Sequence, residues 1–519
     1  MIRAARQGMA DAVLWIAVLT GISKILGFVR EMVIAAFFGA SGMMDAFNIA
    51  DMIISMSASV IQAVFLLSFL PIYNVLFAKD QEEANRFANV VLNAALIVLG
   101  VLSVIFILGL PHGIRWIVPG FSEEKIQQTL ALTYIMLPVV TISLLVSFFS
   151  ALQQSAQRFF FPAIIGIPYN VVLVSSLYLF HREQGVFSLS YGIVIGVLSM
   201  LLVQFFGMRQ LGYRYQAAFD WRSPTLWRML RLSAPLMVGI FSAQANLLVD
   251  RMLASDLPEG SISALSYANR VFMVFITVFA VPAATVLFPR LAQQFSRGEE
   301  EAFAVDLTKS LRMLLFILLP LVFLLYFWGH EIVTVLFRRG AFDALAAEKT
   351  GRALSCFSGA VIGISLTDVL SKTFYARLHS LLPAAVALVG VFLNMGLNFL
   401  FVAPWGHVGL AAATSLATLF TAALLLIFLA RQCRIAVGGV LAFALKLAIF
   451  LVCVCVALRT GTACLAKWMF LSPPVVLGLV VTVGGAVYLL GSQKFRVSEA
   501  DFVIGKIVAL GGKTRAFFR

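Results

Sequence analysis

Polar residues in this chain come in short clusters separated by long apolar runs, and that pattern sets the elements before any motif is read. A helix crossing the hydrocarbon core of a bilayer needs roughly 20 mostly apolar residues. Fourteen runs meet that requirement: Ala12 to Phe38, Met44 to Leu76, Phe87 to Leu110, Leu130 to Leu152, Pro162 to Phe180, Leu189 to Met208, Leu232 to Leu253, Leu265 to Leu291, Leu311 to Trp328, Ala353 to Phe374, Leu382 to Val402, Val408 to Leu429, Val440 to Leu458 and Val475 to Leu490. The first two are long enough to be tilted or broken. No stretch shows the ten-residue alternation of a membrane barrel. The pattern predicts an all-α polytopic membrane protein of about 14 transmembrane helices.

Composition agrees, with 61% hydrophobic and 12% charged residues among 519 and a mean hydropathy of +0.99. Arg3 and Arg6 ahead of an apolar run resemble a signal peptide, but no small-residue cleavage site follows and the run continues to Phe38, so an uncleaved first span is expected. Placing the N-terminus in the cytoplasm gathers most of the 38 Lys and Arg on the cytoplasmic side, the asymmetry that sets orientation. Both termini are therefore expected there. The net charge of +14 reads as topology signal and attraction to anionic lipid headgroups, not as nucleic-acid binding.

The chain also repeats itself. Phe69 to Ala84 (FLPIYNVLFAKDQEEA) realigns 218 residues later on Leu287 to Ala302 (LFPRLAQQFSRGEEEA), and Gly109 and Gly120 fall over Gly329 and Gly340 at an offset of 220. Arg158 shortly before Pro162 recurs as Arg377 before Pro383. Copies of six helices, an even number, must share one orientation and be related by an axis along the membrane normal. The expected organisation is two pseudo-symmetric six-helix lobes, residues 1–215 and 222–432, two additional C-terminal helices within 433–492, and a cytoplasmic amphipathic tail, 493–519.

Charges inside the spans are the candidate chemistry. A cation at a helix centre costs about 2.5 to 3.5 kcal/mol even on the lenient insertion scale, so such residues usually face a polar cavity or a pathway. Lys24, Arg30, Arg251 and Arg270 are of this kind, accompanied by Glu31 and Asp250. At an offset of 220, Val29, Arg30 and Glu31 lie over Val249, Asp250 and Arg251, bringing an acid and a base to one depth in each lobe. Adjacent helical residues point about 100° apart, so pairing within either dipeptide is not expected. Cross-helix pairing competes with a role on a substrate path. Lys24 and Glu31 share a helix face; Arg30 joins it only if Gly27 bends the helix. Asp51 and Asp368 are candidates for ion coupling, the alternative being satisfied core groups.

Other chemistries find little support. The five cysteines, Cys356, Cys433, Cys453, Cys455 and Cys464, lack metal or redox spacing, and the five histidines fall in predicted loops, so no metal site is expected. Gly511, Gly512, Lys513 and Thr514 resemble the end of a phosphate loop, but Ile507 stands where its first glycine belongs. No nucleotide, cofactor or enzymatic activity is expected. Asp80, Glu82 and Glu83 recur in the second copy, which suits loop structure better than the metal cluster of a polyprenyl-phosphate enzyme.

The stretch Ser23 to Glu31 (SKILGFVRE), followed by Phe38, Gly39, Asp45, Ala46 and Phe47, resembles the signature of the MurJ/MviN family. Val249 to Val271 (VDRMLASDLPEGSISALSYANRV), Val335 to Asp343 (VLFRRGAFD) and Phe374 to Ala417 with Gly406, His407, Gly409 and Leu410 are similar to it too. That family belongs to the multidrug/oligosaccharidyl-lipid/polysaccharide exporter superfamily. The resemblance implies a bacterial inner-membrane flippase for lipid II, the undecaprenyl-pyrophosphate-linked peptidoglycan precursor, acting by alternating access; a two-lobed transporter is complete as a monomer, which is the expected state. It implies a cavity between the lobes and a lipid-tail groove at the additional helices. It makes Lys24, Arg30, Glu31, Asp250, Arg251 and Arg270 candidates for headgroup recognition and gating, since a buried pyrophosphate needs charge-assisted hydrogen bonds.

The chain departs from the family at several positions. Lys24 stands where Arg is usual, Glu31 where Asp is, and Met273 where some members carry an acid. The middle of helix 2, Ile53 to Gln62, has no arginine, and Ser55, Ser57, Ser59 and Gln62 line the path with neutral donors instead. A different polyprenyl-linked glycan, such as a capsule, exopolysaccharide or O-antigen unit, is therefore the alternative substrate; a non-transporting scaffold is a further alternative. Pro138, Pro168, Pro282 and Pro320 are expected helix breaks or static kinks. Ser498 to Leu510 is expected to lie on the membrane as an amphipathic helix, and Arg209, Arg214, Arg222, Arg228 and Arg231 to hold the inter-lobe loop at anionic headgroups.

Overall fold

The computed structural model describes residues 2–505 apart from 210, 212, 214, 380, 434, 435, 469–471, 496, 498, 502 and 503, and describes only the backbone of 2–17, 235, 236, 238–243, 280, 281, 283, 284, 286 and 465–468. Arg214, the tail helix expected from Ser498 and the segment Gly511 to Thr514 lie outside the described residues or largely so. Contacts divide the chain into two compact units, Met1–Ser263 with Arg339–Phe342, and Ala264–Arg338 with Asp343–Arg519.

The first unit holds α1 (Ile2–Phe38), α2 (Gly42–Val64), α3 (Leu70–Phe77), α4 (Gln81–Ile117), α5 (Glu123–Met136), α6 (Pro138–Ser155), α7 (Phe160–Ile164), α8 (Gly166–Gln184), α9 (Phe187–Arg209) and α10 (Pro224–Ser255). α2 continues into α3 through one π-helical turn, Phe65–Phe69. The turn has a sequence cause in Pro71, whose ring excludes the ordinary bond to the turn before it. There the Leu70 N–H reaches back to the Phe65 carbonyl. The aromatic residues of this stretch, Phe65, Phe69 and Tyr73, pack with Phe87 of α4 and Phe148 of α6 as the unit's core.

α11 (Ser261–Phe275) leads from the first unit into the second, which holds α12 (Val281–Ser296), α13 (Glu300–Phe337), α14 (Ala344–Ala376), α15 (Leu381–Trp405), α16 (His407–Gln432), α17 (Val437–Trp468) and α18 (Pro473–Lys494). A second π-helical turn, Ile276–Ala280, precedes Pro282. α17 and α18 pack against α13, where Tyr488 donates to the Phe316 carbonyl at 2.8 Å and Arg459 pairs with Glu331. Cys455 is buried there beside Trp328 while Cys453 is exposed.

Twelve helices among the described residues are long and apolar enough to cross a membrane. The two other long helices, α1 of 37 residues and α10 of 32, coincide with the expected first and seventh spans. The protein is thus an all-helical, multi-pass membrane protein of about 14 spans. Proline acts as expected at Pro138, which opens α6, and at Pro168, in the first turn of α8. Pro320 differs: α13 runs through it and kinks at Trp328 instead. Histidines were expected in loops, yet His112, His181 and His330 lie on α4, α8 and α13, because those helices outrun their apolar cores, and His407 opens α16; only His379 lies outside a helix.

The backbone repeats more sharply than the side chains. Six of the eight left-handed φ angles among the described residues fall in pairs 221 positions apart, Gly39 (61°) with Gly260 (82°), Gln157 (58°) with Leu378 (61°) and Gly185 (52°) with Gly406 (57°), while Gly298 and Gly340 have no such counterpart. The hydrogen bonds repeat as well. The Arg158 amide donates to the Gln153 carbonyl at 2.8 Å, and the His379 amide to the Phe374 carbonyl at 3.0 Å, closing both helices with the same six-residue turn. Ser122 and Asp343, also 221 apart, both cap the following helix. This spacing corrects the offset of 220 used for the first helices and sets Arg30 over Arg251.

Candidate functional site

Arg30 is the centre of a polar cluster built by α1, α2 and α8. Its Nη2 lies 2.6 Å from Glu31 Oε1, its Nε 3.2 Å from the same oxygen, and its Nη1 3.1 Å from Asn170 Oδ1. Pairing within this dipeptide was not expected from helix geometry. The long arginine side chain wraps around the helix far enough to reach its neighbour, without a break at Gly27. The guanidinium also sits 5.2 Å from the centre of the Tyr169 ring, a cation–π distance. Asp51 of α2 lies within electrostatic range of Arg30 and accepts from Ser55 at 3.5 Å.

Asn170 ties the cluster to the backbone. Its Nδ2 donates to the carbonyls of Gly166 at 2.7 Å and Ser23 at 3.3 Å, which leaves Oδ1 for the arginine. These bonds engage three of the five N–H donors of the Arg30 guanidinium. Two remain to meet an anion. Neither Asn170 nor Tyr169 was singled out in the sequence, because an Asn and a Tyr in a span carry no formal charge.

Arg251 belongs to a second cluster, at the end of the bundle where α1 finishes. It is buried, donates from Nη1 to the Ile262 carbonyl at 3.1 Å, and feels the charges of Asp250 and Asp45. Asp45 is the hub. Its carboxylate accepts from the amides of Gly260 (2.7 Å) and Ser263 (2.8 Å) and from Ser263 Oγ (2.6 Å), and Lys125 Nζ stands 3.5 Å away. Asn48 donates to Ser263 Oγ at 3.2 Å. The Ala341 amide donates to the Ala36 carbonyl at 2.8 Å. Gly39 and Gly260 approach the backbones of Ala341 and Ala40 so closely that a side chain would collide, and both need left-handed φ. Asp45 and Lys125 are thus functional candidates that charge-in-span reasoning missed, since both sit near helix starts.

Two cavities flank α2. One of about 730 Å³ is apolar and is lined by Ile53, Val60, Val91, Leu144, Met229 and Leu248, with Ser57 on its wall. The other, about 420 Å³, takes Ser55, Ser59 and Gln62 from α2 and faces them with Ser143, Ser147 and Gln154 of α6. The four neutral donors expected on one path are therefore split between two faces of α2. Ser57 is 100° or more away from the others' face and bonds only the Ile53 carbonyl, at 3.4 Å.

Lys24 is exposed on α1 and Arg270 half-buried on α11. Asp368 pairs with Lys372, one turn on along α14, at 3.1 Å. Asp80, set aside as loop structure, caps α4 through the Glu82 amide at 2.8 Å, with Glu82 and Glu83 in the first turn where the helix dipole favours acids.

The family model described as "Lipid II flippase MurJ" matches residues 34–482. A probable lipid II flippase MurJ from Rhizobium tropici is 29% identical over 424 residues, 79% of each chain. The lipid II flippase MurJ of Burkholderia cenocepacia is 26% identical over 436 residues, covering 81% of this chain and 84% of its own. Among solved structures, a lipid II flippase MurJ in an inward closed conformation superposes with a TM-score of 0.79 at 21% identity, over 93% of this chain and 99% of that one. An inward-facing multidrug transporter of the MATE family superposes with a TM-score of 0.69 at 12% identity, over 81% and 95%. At such identities, these two structures speak for the fold.

Proposed function

Because the chain belongs to the MurJ lipid II flippase family, whose model spans residues 34–482, we propose that it moves lipid II across the bacterial cytoplasmic membrane by alternating access. The observation that carries the chemistry is Arg30, a cation within an apolar helix bundle with two N–H donors uncommitted. A pyrophosphate bears about two negative charges and gains most from charge-assisted hydrogen bonds in such a setting. Glu31 and the incoming phosphate compete for the same guanidinium. Substrate release is then the return of Glu31 to Arg30, and Asn170 keeps the guanidinium in place throughout.

With both termini cytoplasmic, the Asp45 cluster lies at the outer face and acts as the outward gate, closed here by Asp45 holding the Gly260 and Ser263 amides. Opening it requires Lys125 and Arg251 to lose Asp45, which costs more than parting apolar surfaces. The two copies of the six-helix unit are the rocking lobes, α17 and α18 carry the lipid tail, and the protein works as a monomer. The exposed arginines Arg222, Arg228 and Arg231, flanked by Trp221 and Trp227, suit a ring of anionic headgroups at the inner face. Transport of lipid II into the outer leaflet of proteoliposomes, lost in Arg30→Ala at equal protein content, tests the reading. The uncharged lining of the α2–α6 cavity favours, as the second reading, another glycan on the same lipid.

A further inference from the structure

We infer that the cavity between α2 and α6 is a subsite for the neutral sugar of the lipid-linked substrate; the inference rests on the transport of a lipid-linked glycan proposed above. The cavity, about 420 Å³, is walled by Ser55, Ser59 and Gln62 on one side and Ser143, Ser147 and Gln154 on the other. Among the described residues, the side chains of Gln62, Ser143, Ser147 and Gln154 take part in no hydrogen bond with the protein, while Ser59 accepts from Gln244 at 3.0 Å. Gln62 is exposed and Ser143, Ser147 and Gln154 are half-buried, so their hydrogen-bonding groups stay open to whatever fills the space. Four such groups turned towards one cavity suit a ligand that can donate and accept in several directions.

The lining also says which partner. No charged side chain lines the cavity, so an anion or a cation would be desolvated there without compensation. Phe65, Leu66, Val146 and Met200 supply apolar walls between the hydroxyls and amides. A sugar ring offers the matching surface, apolar C–H faces edged by hydroxyl groups. Position supports the assignment. Ser55 both lines the cavity and bonds Asp51 of the Arg30 cluster, and Tyr169, under the Arg30 guanidinium, packs on Gly196 next to the cavity-lining Val197. A phosphate at Arg30 thus has the cavity beside it, as a glycosyl pyrophosphate requires.

The test compares two probes on the full chain in nanodiscs: undecaprenyl pyrophosphate, and the same lipid carrying its disaccharide without peptide. The parent binds the disaccharide form about tenfold or more tightly than the bare lipid. Ser147→Val with Gln154→Leu removes donors while keeping volume, and brings the two affinities together at the value for bare lipid. A variant that keeps the parent's preference, or that loses both lipids alike, overturns the subsite. A parent that binds both equally also overturns the subsite but leaves transport standing, whereas a parent that binds neither overturns the transport reading on which it rests.

Discussion

Arg30 is held by an acid on its own helix and an amide on another, and the two contacts have separable consequences. Asn170 binds the guanidinium and two carbonyls at once, so Asn170→Ala should cost about 1 kcal/mol in stability, the usual scale for polar contacts between membrane helices. Transport should fall further than stability, because the arginine loses its aim. Thermal unfolding beside a flipping assay separates the two effects. Glu31→Gln keeps the shape and removes the competitor for Arg30. It should bind substrate more tightly and turn over more slowly, which equilibrium binding and transport rates would show; weaker binding would mean that Glu31 only orients the arginine. The charges at this site were legible in the sequence, whereas Asn170, Tyr169 and the sorting of Ser57 from Ser55, Ser59 and Gln62 were not. Those depend on which helix faces which, and a span apolar all round does not declare its faces.

At the scale of elements, the repeat rests on backbone turns more than on shared residues. Gln157 and Leu378, 221 positions apart, both adopt left-handed φ without being glycine. Such a conformation costs an L-residue about 1 kcal/mol. Gln157→Gly and Leu378→Gly should each stabilise the protein, by similar amounts near 0.5 to 1 kcal/mol; opposite signs in thermal unfolding would show that the two turns are not equivalent. The fourteen apolar runs gave the spans because the bilayer fixes their length. Helix ends were read less well. α4, α8 and α13 run on past the C-terminal ends of their apolar cores and take in histidines expected in loops, since backbone hydrogen bonding carries a helix through a few polar residues as readily as apolar ones. The offset slipped by one residue because hydrophobic helices align almost as well in neighbouring registers, whereas a left-handed turn has one position only.

For the whole molecule, the proposed gating by the Asp45 cluster means that it opens in every cycle of alternating access. Asn48 of α2 donates to Ser263 of α11 at 3.2 Å within that cluster. Asn48→Cys with Ser263→Cys should therefore form a disulfide under oxidation, stop transport and recover it on reduction; unimpeded transport by the oxidised, fully cross-linked protein would mean that these helices never part. The most direct test of the account is replacement of an essential lipid II flippase in a depleted bacterial host by this chain and by its Arg30→Ala variant at equal membrane levels. The account predicts that the parent restores growth and brings lipid II to the outer leaflet and that the variant does neither. Growth and lipid II export by the Arg30→Ala variant at the parent's rate would contradict it.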